Sequence, residues 1–112
     1  MSDARSTLMS GVPELLILRL LAQEERYGYA LARAIRTVTR EAITLGEGVL
    51  YPALHSLEQS GLLRARRQPV AGRVRVYYGI TAKGKRRLEQ LTARWQRIST
   101  ALEAALADSH HA

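Results

Sequence analysis

The sequence predicts a mainly α domain with a small β-hairpin, continued by a long C-terminal helix. Three observations predict it. Three apolar segments with helical spacing lie before residue 61. From Arg73 to Ile80 the chain alternates, with Val74, Val76, Tyr78 and Ile80 on one face and Arg73, Arg75 and Tyr77 on the other. From Leu88 onward, Leu88, Leu91, Trp95, Ile98, Leu102 and Ala105 recur at alternating intervals of 3 and 4, the spacing of a heptad seam.

The first helix is predicted from near Gly11 to about Gln23. Pro13 falls in its first turn, where a missing N–H costs nothing. Leu15, Leu16, Ile17, Leu18, Leu20 and Leu21 leave little polar face beyond Arg19. A helix apolar nearly all round is buried on more than one side. One small core covers one side, so the other is expected to meet a second subunit. Glu24 to Gly28 reads as a turn. A second helix is predicted from Tyr29 to Arg40, with Leu31, Ala32, Ile35 and Val38 inward and Arg33, Arg36 and Arg40 outward. Residues 41 to 47 connect.

A third helix is predicted from Gly48 to Ser60, with Gly61 as its C-terminal cap. Leu50, Ala53, Leu54 and Leu57 face inward, leaving Tyr51, His55, Ser56 and Gln59 outside. Pro52 must sit in the first turn or kink the helix, and free N–H groups at the helix start favour a phosphate. A hairpin follows. Leu62 to Gln68 forms one strand, residues 69 to 72 the tip, and Arg73 to Ile80 the other strand. Thr81 then caps a helix reaching about Ala107, roughly 40 Å long. The domain body is too small to cover it, so it is expected to project and pair with another copy. Residues 1 to 7 and the tail from Asp108 to Ala112 read as loose ends. The expected division is a domain of three helices and a hairpin over 8–80 and a dimerisation helix over 81–108.

Composition narrows the function. The chain has 112 residues, 46% of them apolar, enough for one core. Its 17 Lys and Arg against 10 Asp and Glu give a net charge of +7. No acidic residue lies between Gln59 and Leu88, where nine basic residues stand: Arg64, Arg66, Arg67, Arg73, Arg75, Lys83, Lys85, Arg86 and Arg87. A block of one sign repels itself and is best explained by a polyanionic partner. The absence of Cys excludes disulfides, thiol nucleophiles and iron–sulfur clusters. The longest apolar run, Leu15 to Leu18, is four residues, so no membrane span is expected. No secretory signal is recognisable, and a cytoplasmic location is expected. His55 and Glu58 share a helical flank but do not make a metal site by themselves. Glu58 is expected to form a structural bond, and His110 and His111 no specific one. No catalytic constellation stands out, so neither enzyme activity, cofactor nor metal is expected.

Helix, helix, helix and a basic two-stranded wing is the winged helix-turn-helix arrangement, whose third helix enters the major groove. The residues go further. Tyr27-Gly28-Tyr29, the run from Gly48 to Glu58 (GVLYPALHSLE), Gly61-Leu62-Leu63, and Val76-Tyr77-Tyr78-Gly79-Ile80-Thr81 with Gly84 and a long helix together resemble the PadR-like transcriptional regulators, in their short form with a single C-terminal helix. The resemblance spans roughly residues 8 to 106. It implies a bacterial winged-helix protein, most often a repressor, dimeric through its first and last helices. It also implies a response to small aromatic or cationic molecules. At two positions the chain departs from the family. Val49 stands where a small hydroxylated residue contacts a phosphate, and Ser56 where Arg or Lys is common. Both departures weaken the grip of the third helix and leave the wing intact.

The expected function is a homodimeric, ligand-responsive repressor of a palindromic DNA operator. Gly48, Tyr51, Pro52, His55 and Ser56 are the candidate specific contacts. Arg64, Arg66, Arg67, Arg73, Arg75 and Lys83 are the candidate phosphate contacts. Leu15, Leu16, Leu18, Leu88, Leu91, Trp95, Ile98 and Leu102 are the candidate dimer and effector residues. Trp95 reads either as a bulky seam anchor or as the wall of a flat aromatic slot. The first rival is a winged helix used only to bind protein, which would need no basic wing. The second is an RNA-binding protein, for which exposed aromatic pairs are lacking.

Overall fold

The computed structural model describes residues 11–108. The expectations for residues 1 to 7 and for His110 and His111 lie outside them. Helix α1 spans Val12–Gln23, strand β1 Arg26–Tyr27, helix α2 Gly28–Val38 and helix α3 Glu47–Gln59. Strands β2, Leu63–Val70, and β3, Arg73–Ile80, precede helix α4, Ala82–Ala107.

Each boundary has a local cause. Helix α1 starts after Gly11, whose φ of 88° lies in the left-handed region. Helix α2 ends at Val38, two residues before the predicted end, with Thr39 as its cap. The Thr39 hydroxyl donates to the Ile35 carbonyl at 2.7 Å and accepts from the Ile43 N–H at 3.2 Å, turning the chain toward α3. Helix α3 ends in a Schellman turn. The Leu62 N–H donates to the Leu57 carbonyl at 2.9 Å and the Gly61 N–H to the Glu58 carbonyl at 3.0 Å. Gly61 takes the required positive φ, 77°. Pro52 is the sixth residue of α3 and lies past its first turn, because the helix begins at Glu47.

The hairpin is longer than predicted. Pro69 and Val70 pair with Val74 and Arg73, leaving only Ala71 and Gly72 as the tip. Their φ angles of 50° and 79° match a two-residue turn of the twist that closes hairpins. Residues 26 and 27, read as part of a turn, instead form a third strand. Arg26 pairs with Tyr78 and Tyr27 with Tyr77, giving the antiparallel order β1-β3-β2. A two-residue strand has no periodicity to read.

The core lies where the three short helices meet the base of the sheet. Ile17, Leu18, Leu31, Ile35, Leu50 and Leu54 are closed off from solvent, with Leu63, Tyr78, Ile80 and Leu91 beside them. This corrects two of the predicted interface residues. Leu18 is fully buried and Leu91 is 2% exposed, so both belong to the chain's own core. Leu15, Leu16 and Leu88 are partly buried against that core. Beyond Leu91, helix α4 runs on without burying another residue, and Ile98, Leu102 and Leu106 are exposed. The molecule is accordingly elongated, 62 × 31 × 26 Å. An ion pair ties the buried half of α4 to α1, with Arg87 Nε donating to Glu14 Oε1 at 2.8 Å. That hydrogen bond raises the Arg87 pKa further above its ordinary value.

Thr81 caps α4, its hydroxyl oxygen accepting the Gly84 N–H at 3.0 Å. Gly84 is buried at the joint. A methyl group there would run into the Leu62 carbonyl oxygen and come within 2.6 Å of Ile80 Cγ1. Gly84→Ala is therefore expected to destabilise the protein by about 2–3 kcal/mol. Gly48→Ala, whose added carbon meets open space, is expected to stay within about 0.5 kcal/mol of wild type or above it. Thermal unfolding of the two variants checks this, and equal melting temperatures would refute it.

Candidate nucleic-acid interface

Helix α3 buries Leu50, Leu54 and Leu57 and exposes Gly48, Val49, Pro52, His55 and Ser56. Four of the five predicted base-contacting residues therefore lie together on a bare outer face. The fifth, Tyr51, is 36% exposed, but its ring is packed on the start of α2. A Cβ at Gly28 would come within 2.7 Å of the Tyr51 hydroxyl and 2.9 Å of its ring. This contact explains the glycine between Tyr27 and Tyr29. The predicted phosphate site at the start of α3 is also altered. Glu47 occupies the first turn, so a carboxylate already meets the positive end of the helix.

The six basic residues assigned to phosphates fall into three groups. Arg67 and Arg73 are exposed and have no ion pair or hydrogen bond from their side chains among the described residues. Arg66 and Arg75 lie over aromatic rings, their guanidinium carbons 5.0 Å from the Tyr77 centroid and 4.4 Å from the Tyr27 centroid. Arg66 also pairs with Glu25 at 3.0 Å. The remaining two are bound to main-chain carbonyls. Arg64 donates to Ile80 at 3.0 Å, and Lys83 donates through Nζ to Ser60 at 2.8 Å. Lys83 is exposed and spends one of its three N–H donors on that carbonyl. Its ammonium satisfies a carbonyl at the end of α3, where a cation is favoured.

The pairing register divides the wing into two faces. Arg64, Arg66, Gln68 and Val70 stand opposite Gly79, Tyr77, Arg75 and Arg73 on the outer face. Arg67 and Pro69 stand opposite Val76 and Val74 on the other, which leads back to the buried Tyr78. The alternation read from sequence therefore holds in register, but Val74 is 63% exposed because the wing tip extends beyond the core.

Two features escaped the sequence. One is a set of rings on the outer face. Tyr27 meets Tyr77 edge-on at 5.7 Å and stacks with Tyr29 at 6.4 Å, and Arg33 lies 6.0 Å from the Tyr29 centroid. The spacing Tyr27-x-Tyr29 was visible, but only β1 pairing brings Tyr77 to it. The other is Trp95, which is half-buried against its own chain. Its indole nitrogen lies 3.7 Å from where a Gly11 Cβ would stand, so the ring covers the start of α1. Glu58 forms no side-chain hydrogen bond among the described residues, contrary to expectation. Among those residues no group of three or more His, Asp or Glu could hold a metal ion, and no helix is long and apolar enough to cross a membrane.

A helical core that presents one bare helix face beside a basic two-stranded wing defines a winged helix-turn-helix protein. Comparison with known proteins narrows the class. Residues 17–90 match the transcriptional regulator PadR-like family. A PadR-like transcriptional regulator from Bacillus cereus is 32% identical, with a TM-score of 0.76 over 90% of this chain and 97% of that one. A transcriptional regulator from Clostridium thermocellum gives a TM-score of 0.81 at 28% identity, over 88% of this chain and 97% of that one. The transcriptional regulator YqjI of Escherichia coli is 29% identical over 94 residues, which take in 84% of this chain and 44% of YqjI. This chain thus spans under half of that relative's length. The chain belongs to the PadR-like family. It is a DNA-binding transcriptional regulator and not an enzyme.

Tyr78 anchors the wing to the core, and its pKa is raised, first by burial and then by the nearby charges of Glu58 and Tyr51. The fold therefore favours the neutral phenol. That contribution is complete below the ordinary phenol value of about 10 and is lost as pH rises through the raised value. Urea unfolding midpoints are expected to fall above about pH 10, and Tyr78→Phe should flatten this alkaline limb. An unchanged limb in the variant would place the titrating group elsewhere.

Proposed function

We propose that this protein acts as a homodimeric repressor that occupies a two-fold symmetric operator. In this reading α3 lies in the major groove and the wing grips the neighbouring backbone. The observation that carries it is a bare α3 face in a fold whose basic wing exposes the guanidinium groups of Arg67 and Arg73, one on each face of the hairpin, with no hydrogen bond or ion pair among the described residues. Free arginines at a wing tip suit phosphate oxygens, which accept forked N–H donors. Gly48, Pro52, His55 and Ser56 are the residues proposed to face base edges, with Tyr51 at their margin. Val49, half exposed, and Ser56 bring no charge to that face, so affinity leans on the wing. Occupying a promoter is enough to exclude polymerase.

Salt dependence tests this. Replacing Arg67 or Arg73 by Ala should lower the slope of log affinity against log salt by about 0.9 each. Operator and random DNA should weaken by similar factors. An unchanged slope would remove these arginines from the interface.

The exposed end of α4 supports the dimer. Ile98, Leu102 and Leu106 are 37%, 58% and 81% exposed, an apolar seam that the chain itself leaves uncovered. Leu15, Leu16, Leu88 and Trp95, each half-buried, continue it toward α1. Two copies joined here would set their recognition helices about 34 Å apart, one turn of DNA. A planar aromatic or cationic effector would act at this joint by stacking on Trp95, and would shift the spacing of the helices. Ile98→Glu combined with Leu102→Glu is expected to yield monomers in sedimentation and to abolish operator binding. It should also abolish quenching of Trp95 fluorescence by a planar aromatic cation. A dimer that survives the double substitution would place the interface elsewhere.

A further inference from the structure

The distal wing has little holding it. β1 pairs only with Tyr77 and Tyr78, whereas the hairpin continues through the pairs Gln68–Arg75, Pro69–Val74 and Val70–Arg73. An isolated two-stranded ribbon is marginally stable in water and does not keep one direction by itself. One contact reaches past the end of β1. The guanidinium of Arg75, two residues beyond Tyr77, lies 4.4 Å from the Tyr27 ring centroid. Tyr27 is also the hub of the outer-face rings, meeting Tyr77 at 5.7 Å and Tyr29 at 6.4 Å. Both Tyr27 and Arg75 are half-buried, so the contact is sheltered from water.

The chemistry of the pair matters. A guanidinium over a ring is held through its π face, and all of its N–H groups remain at the edge. The Arg75 side chain has no hydrogen bond or ion pair among the described residues. It is therefore fixed in place with its donors unused. Arg66 differs, because its donors go to Glu25 and Gln68.

We infer that Tyr27 is a positioning residue for DNA binding, which orients the Arg75 guanidinium as a preformed phosphate fork and sets the direction of the wing. This rests on the wing meeting DNA, as proposed above. Tyr27 itself need not touch DNA. Its ring acts through Arg75, and through Tyr29 it joins the wing to α2 of the recognition unit. Fixing the arginine before binding removes the cost of ordering a long side chain at the encounter.

The experiment is a double-mutant cycle on operator affinity and its salt dependence, run on the full chain. Arg75→Ala should lower the salt slope by about 0.9, one phosphate contact. Tyr27→Leu should give a similar loss of slope and a similar fall in affinity. Tyr27→Phe, which keeps the ring, should bind within about twofold of wild type, since the π face carries the contact. The two losses should not add, because contacting residues couple. Tyr27→Leu in the Arg75→Ala background should change little further. Full additivity, or a Tyr27→Phe variant as weak as Tyr27→Leu, would overturn the inference. If Arg75→Ala itself leaves the slope unchanged, the wing contact at that position fails instead. A second measurement does not depend on any variant folding. In the free wild-type protein the Arg75 Nε–H resonance should carry a ring-current shift. A resonance at the averaged position of a free arginine would overturn the stack outright.

Discussion

The geometry of this regulator depends on one joint, where the chain leaves α3 and where it later enters α4. Residues 60 to 62 and 81 to 84 meet there, and all three main-chain carbonyls of the first segment accept hydrogen bonds from the second. The Thr81 N–H donates to the Leu62 carbonyl at 3.1 Å, and the Thr81 hydroxyl donates to the Gly61 carbonyl at 2.6 Å. Lys83 takes the Ser60 carbonyl, and Gly84 lets the helix backbone lie directly on Leu62. Last-turn carbonyls have no partner within their own helix, so an end buried without such partners would be costly. The Schellman turn serves the Leu57 and Glu58 carbonyls, and residues 81 and 83 serve those of Ser60, Gly61 and Leu62, which locks the end of the recognition helix, both roots of the wing and the long helix into one unit. The motif residues Gly61, Leu62, Thr81 and Gly84 are the chemistry of that joint.

The charge pattern follows the same division between frame and contact surface. Glu14, Glu24, Glu25 and Glu41 are paired with Arg87, Arg26, Arg66 and Arg36 respectively. All four acids lie outside the hairpin, and only Arg66 of the wing is reached. Each exposed pair contributes little to stability, about 0–1 kcal/mol. The hairpin itself carries no acidic residue, and none of these pairs involves Arg67, Arg73 or Arg75. A polyanion approaching from that side meets no carboxylate on the hairpin itself. Glu47 at the start of α3 works the other way, placing a carboxylate at the positive end of that helix.

Much of this fold could be read before the structure was known, because its signals are local. Helix spacing, the alternation of β3, the Gly61 stop and the Thr81 cap all act within a few residues. What could not be read depends on partners far apart in sequence. Strand β1 exists because residues 26 and 27 meet Tyr77 and Tyr78, and two residues carry no pattern of their own. Helix α2 stops early because the Thr39 hydroxyl binds the loop after it. Leu18 and Leu91 fit the apolar stripes of their helices equally well as core or as interface, and only the packing of α1 against α4 assigns them to the core. Charge counting likewise cannot see that Lys83 reaches the Ser60 carbonyl, 2.8 Å away. At the site, the bare face of α3 was legible from its leucine spacing, while the rings that hold Arg75 were not.

Helix α4 has two ends with different physical characters, and the joint explains why that matters. Its first turn is fused to Leu62, and Arg87 and Leu91 hold the next turns to α1 and the core. A rigid helix transmits displacement along its length, and packed joints of this kind shift as units rather than deforming smoothly. Anything that tilts the exposed end of α4 must therefore tilt the domain attached to it. Gly84 leaves no slack, because its backbone is already in contact with the Leu62 carbonyl. For the dimer proposed above, the consequence is direct. The angle at which two exposed α4 ends cross fixes the distance between two recognition helices, and the wing turns with them because Tyr27 and the roots of the hairpin belong to the same rigid body. A ligand at that crossing needs no path of its own through the domain. It needs only to favour one crossing angle over another, and the stiffness of the joint carries that preference to DNA.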